Sequence, residues 1–306
     1  MQTHDNSVCN SLNENKNVKA VETHLASGNA LNFSIIGQNV NGINGMFKRI
    51  KVFNYLLPKG DIILLQETHF TSNDESFFEK YGKAQFSHGT SNSRGVATFF
   101  KNSLEYNFIE EFKDEEGRLL IVKCEIQGQI FVISNVYAPN DEKSHAKFLI
   151  DFQVLLCKIN MDDVSYFISQ GDWNFTENLH LDREGGHPKV WKDSIAQITL
   201  LKESFDLIDI WRIRNEKVRK YTWSSPGRKL ASRLDRFYIS DALQNLISET
   251  SISNGISSDH KIVKIHIKAS NFKKGCGQWR MNNSLLKNKQ FTEELRGLRR
   301  EVSYNC

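Results

Sequence analysis

From residue 31 onward the chain alternates short apolar runs with polar breaks. "LNFSII", "DIILLQ", "GVATFF", "LLIVKCEI", "QIFVISNVYA", "VSYFISQ", "RLDRFYI" and "KIVKIHI" are rich in β-branched and aromatic residues. Their length and content predict strands. Helical periods lie between them. Phe148, Leu149, Phe152, Leu155 and Leu156 fall at i, i+1, i+4, i+7 and i+8, which makes one apolar face. "VWKDSIAQITLLKESF" behaves in the same way. Strands come in clusters and do not alternate strictly with helices, so the expected class is α+β. Two packed sheets with helices outside would form one domain over residues 31–268. Residues 1–30 are polar, Asn-rich and without period, and are expected to be a disordered leader. A basic, partly helical tail is expected over 269–306.

Composition narrows the function classes. Of 306 residues, 39% are hydrophobic and 25% charged, which is ample material for a core. No run approaches ~18 apolar residues, so no membrane span is expected. The N-terminus lacks an apolar signal core, so secretion is not expected. Five cysteines without a C-x-x-C pair make neither a disulfide framework nor a zinc site, and fit a reducing compartment. Cys124 and Cys157 lie in apolar runs and read as core. The net charge of +4 is mild, but the basic residues are unevenly placed.

The chemistry sits where strands stop. "FSIIGQNVNG", "IILLQETH", "FVISNVYAPN" and "YFISQGDWN" each end a β-type run and pass at once to polar residues; "SRLDRFYIS" and "SSDHK" follow later. In a sheet-based fold such ends converge. Asn39, Asn41, Glu67, Tyr137, Asn140, Asp172, Asn174, Asp235, Asp259 and His260 are then expected in one pocket. Carboxylate and amide oxygens with few nitrogens suit a hard cation such as Mg²⁺ over zinc. A His beside an Asp suits proton traffic. A metal with a water-activating carboxylate is a toolkit for phosphodiester hydrolysis. Taken singly, each piece has an ordinary reading: Asn as a turn residue, Gly171 as a bend, Asp-His as a solvated pair. Together and in order they outweigh it.

"NVNG", "LLQETH", "NVYAPN", "GDWN", "SRLDR" and "SDH" occur in the order of the exonuclease–endonuclease–phosphatase superfamily, which the chain resembles over roughly residues 31–268. Within it, the chain looks most like the endonuclease domain of LINE-type retrotransposons. Asn41 stands where apurinic repair enzymes carry Asp, His69 follows "QET", and "GCGQWRMNNSLL" resembles a linker toward a reverse transcriptase. The resemblance implies a four-layer α/β sandwich of two mostly antiparallel sheets flanked by helices. It also implies roles. Glu67 would hold Mg²⁺ (or Mn²⁺) with Asn39 and Asp259. Asp172 would orient or deprotonate the attacking water, and Asn174 would place the scissile phosphate. Tyr137 and Asn140 would contact phosphate and leaving group. His260, oriented by Asp235, would donate to the phosphate oxygen. Trp173, where the family often has Phe, is expected beneath the site.

Double-stranded DNA is the expected partner. Residues 211–240 carry nine Lys or Arg against two acids. "RKYTWSSPGRKLASR" has aromatics between cations, as a DNA-facing loop would, and the resemblance places a target-reading hairpin here. Thr222, Ser225, Arg228, Lys229 and Arg233 are the expected DNA contacts, with Arg183 outside the run. The sequence reading is thus a Mg²⁺-dependent endonuclease that nicks DNA and leaves a 3′-hydroxyl. It needs no small-molecule cofactor and works in the nucleus or otherwise the cytoplasm. No Y/F-x-D-D polymerase motif occurs, so the polymerising step is not expected of these 306 residues. The rival readings are an apurinic-site endonuclease or 3′-exonuclease, a phosphatase, and a decayed DNA-binding remnant.

Overall fold

The computed structural model describes residues 30–269. The expected leader and tail lie outside the described residues. The first sheet is built from β1 (Asn32–Asn39), β2 (Ile62–Gln66), β3 (Gly82–Ser87), β4 (Val96–Lys101), β14 (Ile247–Ser253) and β15 (Ile262–Lys268). The second holds β5 (Tyr106–Lys113), β6 (Leu119–Ile126), β7 (Gln129–Tyr137), β8 (Tyr166–Asp172), β10 (Leu207–Asp209) and β13 (Asp235–Ser240). Their orders are β14-β15-β1-β2-β4-β3 and β10-β13-β8-β7-β6-β5. Only the pairs β1–β2 and β7–β8 are parallel, so both sheets are mostly antiparallel, as expected. A small third sheet joins β9 (Arg183–Glu184), β11 (Trp223–Ser224) and β12 (Ala231–Ser232).

Three cores give four layers. Phe33, Ile35, Leu64, Val122, Ile133, Ile168, Phe237 and Ile265 fill the space between the sheets. The opposite face of β1 and β2, with Ile36, Ile63 and Leu65, packs on Val52, Phe53 and Leu56 of helix α1 (Met46–Leu56). The outer face of the second sheet, with Val132, Phe167 and Tyr238, packs on α2 (Glu142–Leu156) and on α4 (Lys192–Ser204). Strands covered on both faces are continuously apolar, which is why "IILL" does not alternate. Asp141 caps α2 by accepting the Ser144 amide. Of two short helices, α3 (Leu179–Asp182) lies beside β9 and α5 (Ile210–Arg214) beside β10, β13 and β14. Cys124 is buried as expected, whereas Cys157 caps the end of α2 and is only partly buried.

Candidate active site

Strand register brings the site together. Asn39 pairs with Gln66 at the end of β1–β2, one residue before Glu67. Tyr137 pairs with Asp172 at the end of β7–β8, and Asp172 pairs across β13 with Asp235. The chain reaches β15, antiparallel beside β1, just after Asp259 and His260. Glu67, Tyr137, Asn140, Asp172, Asn174 and His260 therefore line one cleft of about 420 Å³, together with Arg183 and Asp259. Asn39 and Asp235 lie just behind it, buried.

Gly171 is not a bend. It sits inside β8, and an added Cβ would meet the Val136 carbonyl oxygen at 1.9 Å. Glycine is required for the close approach of β7 and β8, and this fixes the height of the next residue, Asp172. The turns after the strands use left-handed backbone at Asn41 (φ 47°), Glu67 (φ 52°) and Asn174 (φ 47°). Asn tolerates that region. Glu67 does not favour it, and strain of this kind persists only where surroundings over-determine it.

One amide joins the two halves. Asn39 Nδ2 donates to Glu67 Oε1 at 2.8 Å and to Asp172 Oδ2 at 2.9 Å. Its Oδ1 accepts the Asn41 amide at 3.0 Å. Asn39 thus acts as a bridge between Glu67 and Asp172, and its carbonyl oxygen keeps one lone pair beyond the Asn41 contact. On the other side of Asp172, His260 Nδ1 is 2.9 Å from Asp235 Oδ2, and its Nε2 is 3.7 Å from Asp172 Oδ2. The Asn174 amide donates to Asp172 Oδ1 at 3.0 Å, and Asn174 Nδ2 to the Ala138 carbonyl. Trp173 packs edge-on against Tyr238 beneath the site, with centroids 4.8 Å apart.

Burial pushes the Asp172 carboxyl up to about 6; His260 opposes the shift and Asp235 adds to it. Burial works against a charged His260, but Asp235 and Asp172 outweigh it and raise the ring to about 10. Near neutral pH the pair is therefore a carboxylate beside an imidazolium. Burial and the neighbouring Glu67 hold the Tyr137 phenol well above its usual range, so it stays protonated.

Two carboxylate groups of residues present a possible cation site. The ligand-type atoms of Asp172, Asp235 and His260 lie within 4.8 Å of one another. Asp172 already accepts from Asn39 and Asn174, and one oxygen of Asp235 meets the His260 ring, so the trio is internally linked and buried. Glu67 and Asp259 fit better. Both line the cleft, both are accessible, and both act on the ammonium of Lys48. All their donors are oxygen, which suits a hard divalent ion.

The basic run folds as a hairpin, β11 and β12, closed by a 3-10 turn at Pro226–Arg228. Two of its expected DNA contacts are corrected. Thr222 is buried, and its Oγ1 accepts the Leu234 and Asp235 amides at 2.9 and 3.0 Å, so it supports the site from within. Arg233 is 1% exposed and pairs with Asp182 and Asp209, so it cannot reach a phosphate. Ser225 Oγ is used by the Leu230 amide to close the turn. Lys229 is exposed at the tip, Arg183 is partly buried on the cleft wall, and the Arg228 side chain lies outside what is described.

Asn41 lines the cleft, and its Nδ2 lies 3.4 Å from Asp259 Oδ1. Two residues escaped the sequence reading. Lys48 Nζ donates to the Asn41 carbonyl at 2.7 Å, and burial lowers its pKa against the pull of Asp259 and Glu67. Trp223 Nε1 donates to Asp259 Oδ2 at 2.8 Å. Lys48 follows "NVNG" at a helical distance that the motif alone does not weight. Trp223 lies in the aromatic-cation run, where its ring was noticed and its N–H was not.

Known proteins resemble this chain in sequence and in fold. Residues 36–260 match the Endonuclease/Exonuclease/phosphatase family. The chain is 30% identical over 268 residues to the transposon TX1 uncharacterized 149 kDa protein of Xenopus laevis, covering 86% of this chain and 20% of that protein. It spans about a fifth of that relative's length. It is 26% identical over 260 residues to the exodeoxyribonuclease of Bacillus subtilis, covering 76% of this chain and 98% of that one. Among solved structures, an AP endonuclease of Leishmania major aligns with a TM-score of 0.62 at 17% identity, over 78% of this chain and 89% of that chain. An AP endonuclease of Archaeoglobus fulgidus aligns at 0.60 and 20% identity, over 76% and 98%. These two likenesses carry the fold, which is the four-layer sandwich.

Proposed function

The chain belongs to the Endonuclease/Exonuclease/phosphatase family, and from that premise we propose that it is a Mg²⁺-dependent endonuclease that nicks double-stranded DNA and leaves a 3′-hydroxyl. The observation that carries this reading is the Asn39 amide, which ties Glu67 to Asp172 while Asp235 and His260 flank Asp172 on its far side. A cation-binding carboxylate, a base and a protonated donor are thereby held in one row.

Water attacks phosphorus opposite the 3′-oxygen. Its proton passes to Asp172, which is buried and deprotonated above about pH 6. As the new O–P bond forms and the P–O3′ bond breaks, negative charge grows on the non-bridging oxygens. His260, already cationic, donates there without prior proton uptake. Asp235 keeps its ring aligned. One N–H of Asn174 is tied to Ala138, which leaves the other for phosphate. The Tyr137 hydroxyl hydrogen-bonds the departing oxygen, and the 3′-oxygen leaves as a hydroxyl by taking a proton from solvent water while Asp172 returns its proton to solvent. A divalent ion at Glu67 and Asp259 would neutralise charge on the phosphate and the departing oxygen. DNA as substrate implies a nuclear site of action. Among the described residues no helix is long and apolar enough to cross a membrane.

Supercoiled plasmid tests this. Conversion to open circles with Mg²⁺, abolished by chelator and by Asp172→Ala, is the expected result. A folded, DNA-bound protein that never nicks points to the decayed-remnant reading. A second reading is a repair-type enzyme, an apurinic-site endonuclease or a 3′-exonuclease, of which the 98% coverage of the Bacillus subtilis exodeoxyribonuclease favours the exonuclease. Strong preference for an abasic duplex over an intact one would select the apurinic-site form.

A further inference from the structure

Asp259 occupies an awkward position for a cation ligand. It is exposed, and it lies in the loop after Ser257 (φ 53°), outside the ladders that fix Glu67 and Asp172. One contact on its Oδ1 is long, 3.4 Å from Asn41 Nδ2. The short one is to Oδ2, from the Trp223 indole at 2.8 Å. The backbone around that indole is tied to the same loop. The Lys261 amide donates to the Thr222 carbonyl at 2.7 Å, and Trp223 forms an antiparallel bridge with His260. Trp223 is thus anchored beside the residue that follows Asp259, with its single polar donor spent on the carboxylate.

We infer that Trp223 is a positioning residue for the divalent-cation site: its N–H fixes one oxygen of Asp259 so that the other is presented to the cleft. The inference rests on the reading above, that Glu67 and Asp259 hold the ion. A carboxylate on an exposed loop would otherwise spread over several rotamers, and each ion bound would have to order it. A phenyl ring fills the same space but cannot donate. The effect is of the kind seen for partners that orient metal ligands, where loss costs about 10- to 100-fold in metal affinity or activity.

The test measures Mn²⁺ binding by calorimetry on the full chain, without DNA, beside plasmid nicking. Four proteins are compared: wild type, Trp223→Phe, Asp259→Asn and the double variant. Trp223→Phe should weaken Mn²⁺ binding roughly tenfold. It should leave duplex binding in chelator within about twofold, since the phosphate contacts that dominate that affinity are untouched. In the Asp259→Asn background the Trp223 change should add nothing, because the carboxylate it positions for the ion is gone. Should Trp223→Phe lower the melting temperature, benzothienylalanine at position 223 keeps the bicyclic shape and removes only the donor. Unchanged Mn²⁺ affinity in either variant, with a wild type that binds and nicks, overturns the inference and leaves the nuclease reading intact. An equal loss in the Asp259→Asn background overturns it as well. A wild type that neither binds Mn²⁺ nor nicks overturns the nuclease reading itself, and this inference with it.

Discussion

His260 stands between two acids of unlike duty: its Nδ1 is 2.9 Å from Asp235 and its Nε2 is 3.7 Å from Asp172. Only Asp172 lines the cleft; Asp235 is sealed behind the ring. One acid is therefore open to the cleft and the other is committed to the histidine.

This division sets the pH dependence. kcat/KM should rise as Asp172 loses its proton near pH 6 and fall as His260 loses its own near pH 10. Replacing Asp235 by Asn removes the main support of the imidazolium and should pull the alkaline limb down, with kcat reduced about 10²- to 10⁴-fold. Stability follows the same signs. His260 is raised in the folded state, so its contribution is full below its unfolded value and disappears as pH climbs through about 10. Asp172 is also raised, so folding favours its protonated form, and stability declines as pH rises through about 6. A pH–rate profile of wild type and Asp235→Asn, with urea melts at matched pH, checks both. An alkaline limb unmoved by Asp235→Asn would rule out the support role.

Gly171→Ala should damage the site through the backbone. The added methyl would sit 1.9 Å from the Val136 carbonyl oxygen and must push β7 from β8 just below Asp172. A loss of roughly 1–3 kcal/mol is expected from overpacking. Nicking should fall further than stability accounts for, since the base moves. Denaturant melts and single-turnover rates, measured on the same preparation, separate the two effects.

Arg233 should behave as an interior residue. It and Arg236 share Asp182 and Asp209, with Arg212 also on Asp182. Taking Arg233 from this group strips Asp209 of its close partner and leaves Asp182 one partner fewer, both buried, at a cost of up to about 3–5 kcal/mol. Arg233→Met should therefore unfold at much lower urea. If it instead stays stable and loses only DNA affinity, the interior assignment is wrong.

Lys229 should behave in the opposite way. It is exposed at the hairpin tip. Lys229→Gln should leave stability unchanged, weaken binding about equally across duplex sequences, and flatten the slope of log K against log salt by about 1. Fluorescence anisotropy over a salt series measures it.

The sequence revealed this fold from the inside outward. The eight strands expected from apolar runs are the eight interior strands of the two sheets, and β3, β5, β10 and β14, which the pattern missed, are the four edges. Edges expose one flank and mix in charge, as β5 does with Glu110 and Glu111, so their alternation is diluted. The site was legible for a related reason. Polar residues at the ends of buried strands stand out against their own runs, and Glu67, Tyr137, Asp172 and His260 all meet in the cleft. What escaped was burial of charge. Arg233 is one cation among nine in its run, and nothing local shows that Asp182, 51 positions away, holds it inside. Thr222 looked like a phosphate-binding hydroxyl for the same reason: its two amide partners lie 12 and 13 residues on.

The hairpin has two ends under very different constraint. At its base, Thr222 holds the Asp235 amide, Trp223 holds Asp259, and Leu234 lines the cleft, so a change there reaches the reaction. At its tip, Gly227 turns in the left-handed region (φ 74°), which favours glycine at that one position, while Pro226 and Lys229 beside it are exposed. The exposed neighbours of that turn can therefore change without touching the residues at the base. On the nuclease reading proposed above, the choice of DNA is separable there from the way it is cut.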